Sequence, residues 1–194
     1  KLDVITGVTL GVNSLFDLRG RAPCYIARGI FRPDSTNKTK IIGTVYTGPQ
    51  PIAAAKGHVG KWQTEVEGQL VRRVNRKLDL VSETNFGWDT RDPANNNKTS
   101  SWVGTYGMAI VHTHRLLDVN TRAEWFHDID GSRTGHRANY SEMTAGINFM
   151  PRASVNFRPE VRWDGADSNV FGPAGKPPYQ NHQWTYAFEA LLKF

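Results

Sequence analysis

The chain has 194 residues, 39% hydrophobic and 22% charged, with 24 Lys and Arg against 18 Asp and Glu for a formal net charge of +6. Six Trp, six Tyr and nine Phe exclude a disordered chain. No run approaches the roughly 18 to 20 apolar residues of a membrane helix, and the single cysteine, Cys24, excludes an internal disulfide framework and a cysteine-ligated zinc. What remains is a soluble β protein or a transmembrane β-barrel, which hides in average composition because only alternate residues meet lipid.

In chain order, Leu2, Val4, Val8, Leu10 and Val12 oppose Asp3, Thr9 and Asn13, the two-residue period of a strand between two environments. Less regular strands follow near 23–32, 39–48 and 61–74, none with a helical period. Leu78, Leu80, Ser82, Thr84, Phe86 and Trp88 then oppose Lys77, Asp79, Glu83, Asn85 and Asp89. After a strand near 101–113, Leu117, Val119, Thr121, Ala123 and Trp125 oppose Asp118, Asn120, Arg122, Glu124 and Asp128. A strand near 139–150 precedes the cleanest alternation: Val155, Phe157, Val161 and Trp163 against Asn156, Arg158, Glu160, Arg162 and Asp164. Pro159 in that strand predicts a local bulge. The chain closes with Trp184, Tyr186, Phe188, Ala190, Leu192 and Phe194 on one side, Gln183, Glu189 and Lys193 on the other. The total is about ten strands of roughly the 9 to 11 residues that a tilted membrane strand needs.

The connections alternate too. Val74 to Lys77, Thr113 to Leu116 and Met150 to Ala153 are tight. Gly48 to Gly60, Thr90 to Ser100, Asp128 to Ala138 and Gly165 to Asn181 are long and rich in Gly, Asn, Asp and Pro. Outer-membrane barrels pair short periplasmic turns with long outer loops in this way. Trp62, Trp88, Trp102, Trp125, Trp163 and Trp184 fall at the loop-side ends of the strands, where an outer aromatic girdle is expected. A soluble β-sandwich with buried Trp is the alternative. The sequence starts at Lys1 without a charged, apolar leader, so any signal peptide is expected to have been removed or to lie outside this sequence.

The run Arg122-Ala123-Glu124-Trp125-Phe126-His127-Asp128-Ile129-Asp130-Gly131, with Thr134-Gly135 after it, resembles an outer-membrane β-barrel porin family, the OmpL-like porins. So do Glu142-Met143-Thr144-Ala145-Gly146-Ile147, the strand Arg158-Pro159-Glu160-Val161-Arg162-Trp163-Asp164, the terminal strand Gln183 to Phe194, and Trp102-Val103-Gly104. The resemblance is strongest from about Trp62 onward. It implies an all-β, antiparallel up-and-down transmembrane barrel in a bacterial outer membrane, with residues 1–194 a single porin domain that is either the C-terminal portion of a larger barrel, the favoured reading, or a smaller closed barrel of ten strands. Phe194 is then the C-terminal assembly signal.

With the apolar parity against lipid, the polar parity lines the lumen: Arg122, Glu124, Glu142, Arg158, Glu160, Arg162, Asp164, Glu189 and Lys193. Asn148, Lys61, Glu65, Glu67, Asp79, Glu83 and Asp89 lie further round. Opposite charges on adjacent strands come within cross-strand reach, and a charged wall biases which solutes pass. The expected activity is passive diffusion of small polar or charged solutes, with no chemical step. Two alternatives stay open: a non-conducting structural or adhesive barrel, and a barrel enclosing a partner such as an electron carrier. The partners expected are lipid and small solutes. The family habit suggests a homo-oligomer, for which the sequence offers no patch.

Other constellations are weaker. Asp128-Ile129-Asp130-Gly131 opens like a calcium loop but lacks the closing Glu. His112 and His114, read as sharing a strand face, have no third ligand. His127, Asp128 and Asp130 with His58, His136 and His182 would suit an outer-end hydrolase of omptin type, but no omptin motif is present. Neither an enzyme nor a cofactor is therefore expected. The basic excess contains no long run, so nucleic acid is not read as a partner.

Overall fold

A strand that alternates apolar and polar residues sends the two sets to opposite faces of its sheet. The computed structural model describes residues 1–9, 23–51, 59–172 and 179–193. They form ten strands: β1 (Leu2–Thr9), β2 (Cys24–Phe31), β3 (Thr39–Pro51), β4 (Val59–Asn75), β5 (Leu78–Asp92), β6 (Lys98–His114), β7 (Leu117–Asp128), β8 (Ala138–Arg152), β9 (Val155–Ala166) and β10 (His182–Leu192). Each pairs antiparallel with its sequence neighbour in one up-and-down sheet. Strands β3 to β9 run 12 to 17 residues, far beyond the five or six usual in soluble sheets. No second sheet covers either face among the described residues, so the sandwich is set aside. Leu10, Val12, Asn13, His58 and Phe194 lie outside the described residues.

Two-residue turns, Arg76–Lys77, Arg115–Leu116 and Ala153–Ser154, join β4 to β5, β6 to β7 and β8 to β9 at one end of the sheet. The long connections stand at the other end, with two corrections, the first being the β2–β3 link, residues 32–38, which lies at the tight-turn end without being tight. The expected link from Thr90 to Ser100 shrinks to 93–97, because β5 and β6 continue past a register slip between Asp89 and Asp92. Asp92 caps the short 3-10 turn Pro93–Asn95 by accepting the Ala94 N–H at 3.1 Å, and Asn96 and Asn97 take the left-handed backbone that asparagine tolerates. Pro159 also departs from expectation. The β9–β10 ladder passes through Pro159 opposite Phe188 without a slip, and the β8–β9 irregularity falls between Phe149 and Arg152, beside the turn.

Register makes the two faces explicit, since directly opposed residues share a face. On one face Val45 opposes Val66, Val66 opposes Phe86, Phe86 opposes Val103, Val119 opposes Ile147, and Trp163 opposes Trp184. Its charged members, Arg72 and Arg152, stand at the tight-turn ends. These apolar side chains are open: Tyr186 is 78% exposed, Phe188 68% and Met143 62%. Burial lies on the opposite, charged face, where Gln63, Asp89, Trp102, Asp128, Glu142 and Asp164 crowd one another. Among the described residues, strand β1 pairs only with β2, and β10 only with β9.

Candidate functional site

On the charged face, β7 to β10 carry Glu124, Glu142, Asp164 and Gln183 in one cross-strand row. Arg122, Thr144, Arg162 and Thr185 form the next. Acid therefore stacks on base one pleat repeat away. Arg162 meets Glu142 at 3.0 Å and Asp164 at 2.6 Å, while Arg122 pairs with Glu124 and reaches Glu142 at 3.8 Å. Glu142, 8% exposed, thus lies between two guanidiniums. Both arginines remain about one-third or more open to solvent, so each pair contributes about 1 kcal/mol or less rather than the buried value. Five of the nine expected pore-lining residues form this network.

The others lie outside it. Arg158 and Glu189 make an exposed pair at 2.8 Å nearer the tight-turn end. Glu160 is on the same face, between Gly146 and Ala187. Lys193 follows β10, and its N–H donates to the Ser154 carbonyl at 2.9 Å.

Strands β4 to β6 carry a second group. Lys61 binds Asp89 at 2.5 Å. Glu83 accepts from Gln69 at 2.8 Å and from the Tyr106 hydroxyl at 3.1 Å. The Arg122 guanidinium lies 4.8 Å from the Tyr106 ring centre, so Tyr106 joins this group to the first. At the tight-turn end Arg73 grips Asp79 through two bonds of 2.9 and 2.8 Å. His112 sits between Asp118 at 2.8 Å and Asp79 at 3.4 Å. His114 does not join it: the register slips between the two histidines, and His114 pairs with Leu117.

Two hollows open on the charged face. One, about 340 Å³, is lined by Glu124, Phe126, Tyr140, Glu142, Arg162, Asp164 and Phe171. The other, about 360 Å³, is lined by Asn120, Arg122, Asn148, Arg158, Glu160 and again Glu142 and Arg162. A larger hollow of about 1040 Å³ lies on the apolar face over Gly107, Ala109, Ala123 and Ala145, and its walls are overwhelmingly apolar.

Five of the six tryptophans, Trp62, Trp88, Trp125, Trp163 and Trp184, project from the apolar face near the loop-side ends of their strands. Trp102 does not. It opposes Gly87 and Asp128 on the charged face, is 2% exposed, and lies across Gly87, where any side chain would collide with the indole. The Arg133 guanidinium stacks 4.7 Å from its ring centre.

The segment 129–137 above it is fastened from within. Asp128, fully buried, accepts the N–H groups of Ser132, Arg133 and Thr134 at 3.0, 2.9 and 2.8 Å, and the Thr134 hydroxyl lies at 2.9 Å. Asp130 accepts the Ser101 N–H at 2.9 Å and faces Arg137 at 3.5 Å. These two carboxylates are thus committed to closing a loop. Nor do His127 and Asp128 form a catalytic pair, because His127 stacks on Trp125 on the apolar face while Asp128 points to the other. The roles of Trp102, Asp128 and Arg133 were missed from sequence; a small residue opposite a large one, Gly87 against Trp102, is the signal that register alone exposes.

A single antiparallel up-and-down sheet, apolar and open on one face and charged on the other, is the wall of a porin-type β-barrel. The comparison with protein families agrees along the whole chain. The protein belongs to the family described as putative beta-barrel porin-2, OmpL-like, whose profile matches residues 1–194, including the N-terminal third where the sequence likeness is looser. No curated protein and no solved structure matches the chain.

Proposed function

We propose that the protein is an outer-membrane channel for passive diffusion of small polar and charged solutes, with its apolar face against lipid and its charged face lining water. One observation carries this reading: the register separates an exposed, almost charge-free face from a face whose Lys, Arg, Glu and Asp interlock from β4 to β10. An exposed apolar surface of that extent is unstable in water, whereas hydrocarbon accepts it, provided every backbone group is paired. The crowding of the charged side chains is what a sheet curling toward that face produces. Along the wall, guanidiniums beside carboxylates orient water and replace part of a solute's hydration, which favours polar over apolar cargo. The family likeness supports a role without a chemical step.

The outer edges of β1 and β10 have no strand partner among the described residues. Bare edges in lipid cost several kcal/mol for each unsatisfied group. We infer that further strands continue the sheet on both sides, so that these ten are the C-terminal portion of a larger barrel.

The test is reconstitution of the intact protein in lipid, with liposome swelling in neutral sugars and single-channel recording. Discrete conductance steps are expected. A folded insert that passes neither ions nor sugars refutes the channel, and a protein retained inside such an insert favours an occupied barrel instead.

A further inference from the structure

We propose that Arg133 is the selectivity-determining cation of the outer mouth, held over the lumen side by the Asp128-stapled loop so that it recruits solutes bearing carboxylate or phosphate groups. The inference rests on the channel reading above and adds a specific residue and a solute class to it.

The loop is not a free tether. Three successive N–H groups, from Ser132 to Thr134, converge on one buried carboxylate, a nest-like closure that determines the path of the backbone. The Tyr140 hydroxyl donates to Thr134 Oγ1 at 2.8 Å, and Gly131 and Gly135 take positive φ values of 75° and 86°, which allow the chain to turn back. This closure directs residue 133 toward the charged face. There the guanidinium lies on Trp102, itself seated on Gly87 between β4 and β6.

Trp102 supplies a flat, rigid floor without neutralising the charge. Arg133 also has no ion-pair partner within 4 Å among the described residues, unlike Arg122, Arg158 and Arg162. Its side chain is exposed. A guanidinium held on one face and open on the other retains its in-plane N–H donors for a bidentate oxyanion. Glu65 on β4 lies in the same cross-strand row as Gly87 and Trp102, two strands from the indole that carries the cation.

The experiment is the reversal potential of single channels of the intact protein under a KCl gradient. An unpaired unit charge about 7 Å from a passing ion in water changes local ion concentrations about twofold to threefold before screening. Arg133→Gln is therefore expected to move the chloride-to-potassium permeability ratio about threefold or more toward potassium, and Arg133→Glu further. Arg133→Lys, which keeps the charge, is expected to stay near the unsubstituted protein. Asp128→Ala retains Arg133 but frees the loop, and is expected to lose part of the preference. Unchanged selectivity in Arg133→Gln overturns the inference while leaving the channel intact; equal loss in Arg133→Lys also overturns it, because the ring contact rather than the charge is then responsible. Absence of conductance in the unsubstituted, folded protein instead overturns the channel reading.

Discussion

Gly87 and Trp102 offer the sharpest test of the face assignment. Substituting Gly87→Ala sets a methyl group where the indole now lies. Trp102 is 2% exposed and cannot swing aside without displacing Arg133 or disturbing its neighbour Asp128. Overpacking of this kind costs about 1 to 3 kcal/mol. Removing a glycine from a strand returns roughly 0.5 to 1 kcal/mol of backbone entropy. The net loss is therefore centred on about 1 kcal/mol and reaches about 2.5 kcal/mol at most, with the centre about fivefold in the unfolding equilibrium. Urea titration in lipid vesicles, with the folded fraction read from the band shift of unheated samples on gels, resolves a change of that size. In a Trp102→Ala background the obstacle is gone, and Gly87→Ala is expected to be neutral or slightly stabilising. The sign of the effect should thus reverse between backgrounds, a coupling that independent sites do not show. Equal destabilisation in both would mean that Trp102 does not lie on Gly87, and the face assignment of β6 would fall with it.

Four further outcomes follow from the geometry. Glu142→Gln should cost only about 1 kcal/mol, because Arg122 keeps Glu124 and Arg162 keeps Asp164, whereas Glu142→Lys places a third cation beside two arginines and should cost clearly more by the same titration. Asp128→Ala should make the peptide bonds after Arg133 and Arg137 sensitive to trypsin in folded samples; resistance equal to the parent would show that the staple does not hold the loop. Cysteines placed in turn at Val4, Thr6 or Val8 with one at Tyr186 or Phe188, in a Cys24→Ala background, should not form a disulfide in the membrane, since a larger barrel keeps β1 and β10 beyond the roughly 7 Å that a bridge spans. A high yield of bridge would instead close these ten strands on themselves. Asp34, in the β2–β3 link, accepts bonds from Thr36 at 2.6 Å and from the Lys38 and Thr39 N–H groups at 2.9 Å, which hold its carboxyl far below the usual 3.8. A carboxyl lowered on folding contributes stability above its ordinary value and loses it as pH falls through the lowered one. The amides of Lys38 and Thr39 should accordingly stay protected at neutral pH and lose protection only in strong acid, and Asp34→Asn should abolish that acid step in hydrogen exchange.

Much of this architecture was legible from side-chain period. In β7, β9 and β10 the two parities differ so sharply in polarity that only one assignment of faces avoids putting Arg158, Arg162 and Glu189 beside hydrocarbon. Strand number and the tight turns followed from the same alternation, because a hairpin must return the chain with its faces preserved. Strand β6 was different. Trp102, Tyr106, Met108 and Ile110 are as apolar as Val103, Ala109 and Val111, so period is silent there and Trp102 was misassigned to the girdle. What decided its face was a gap in the neighbouring strand, the missing side chain at Gly87.

The amino-acid order by itself determined that the chain forms long antiparallel strands with one face for hydrocarbon and one for water, since that information is local and repeats every two residues. Only the tertiary structure decided which arginine meets which carboxylate, that Asp128 accepts the amides of the loop after it, and that Arg133 stands over Trp102. Those contacts join residues on different strands and loops, and their partners are chosen by register and by the space left between side chains, neither of which a linear pattern contains.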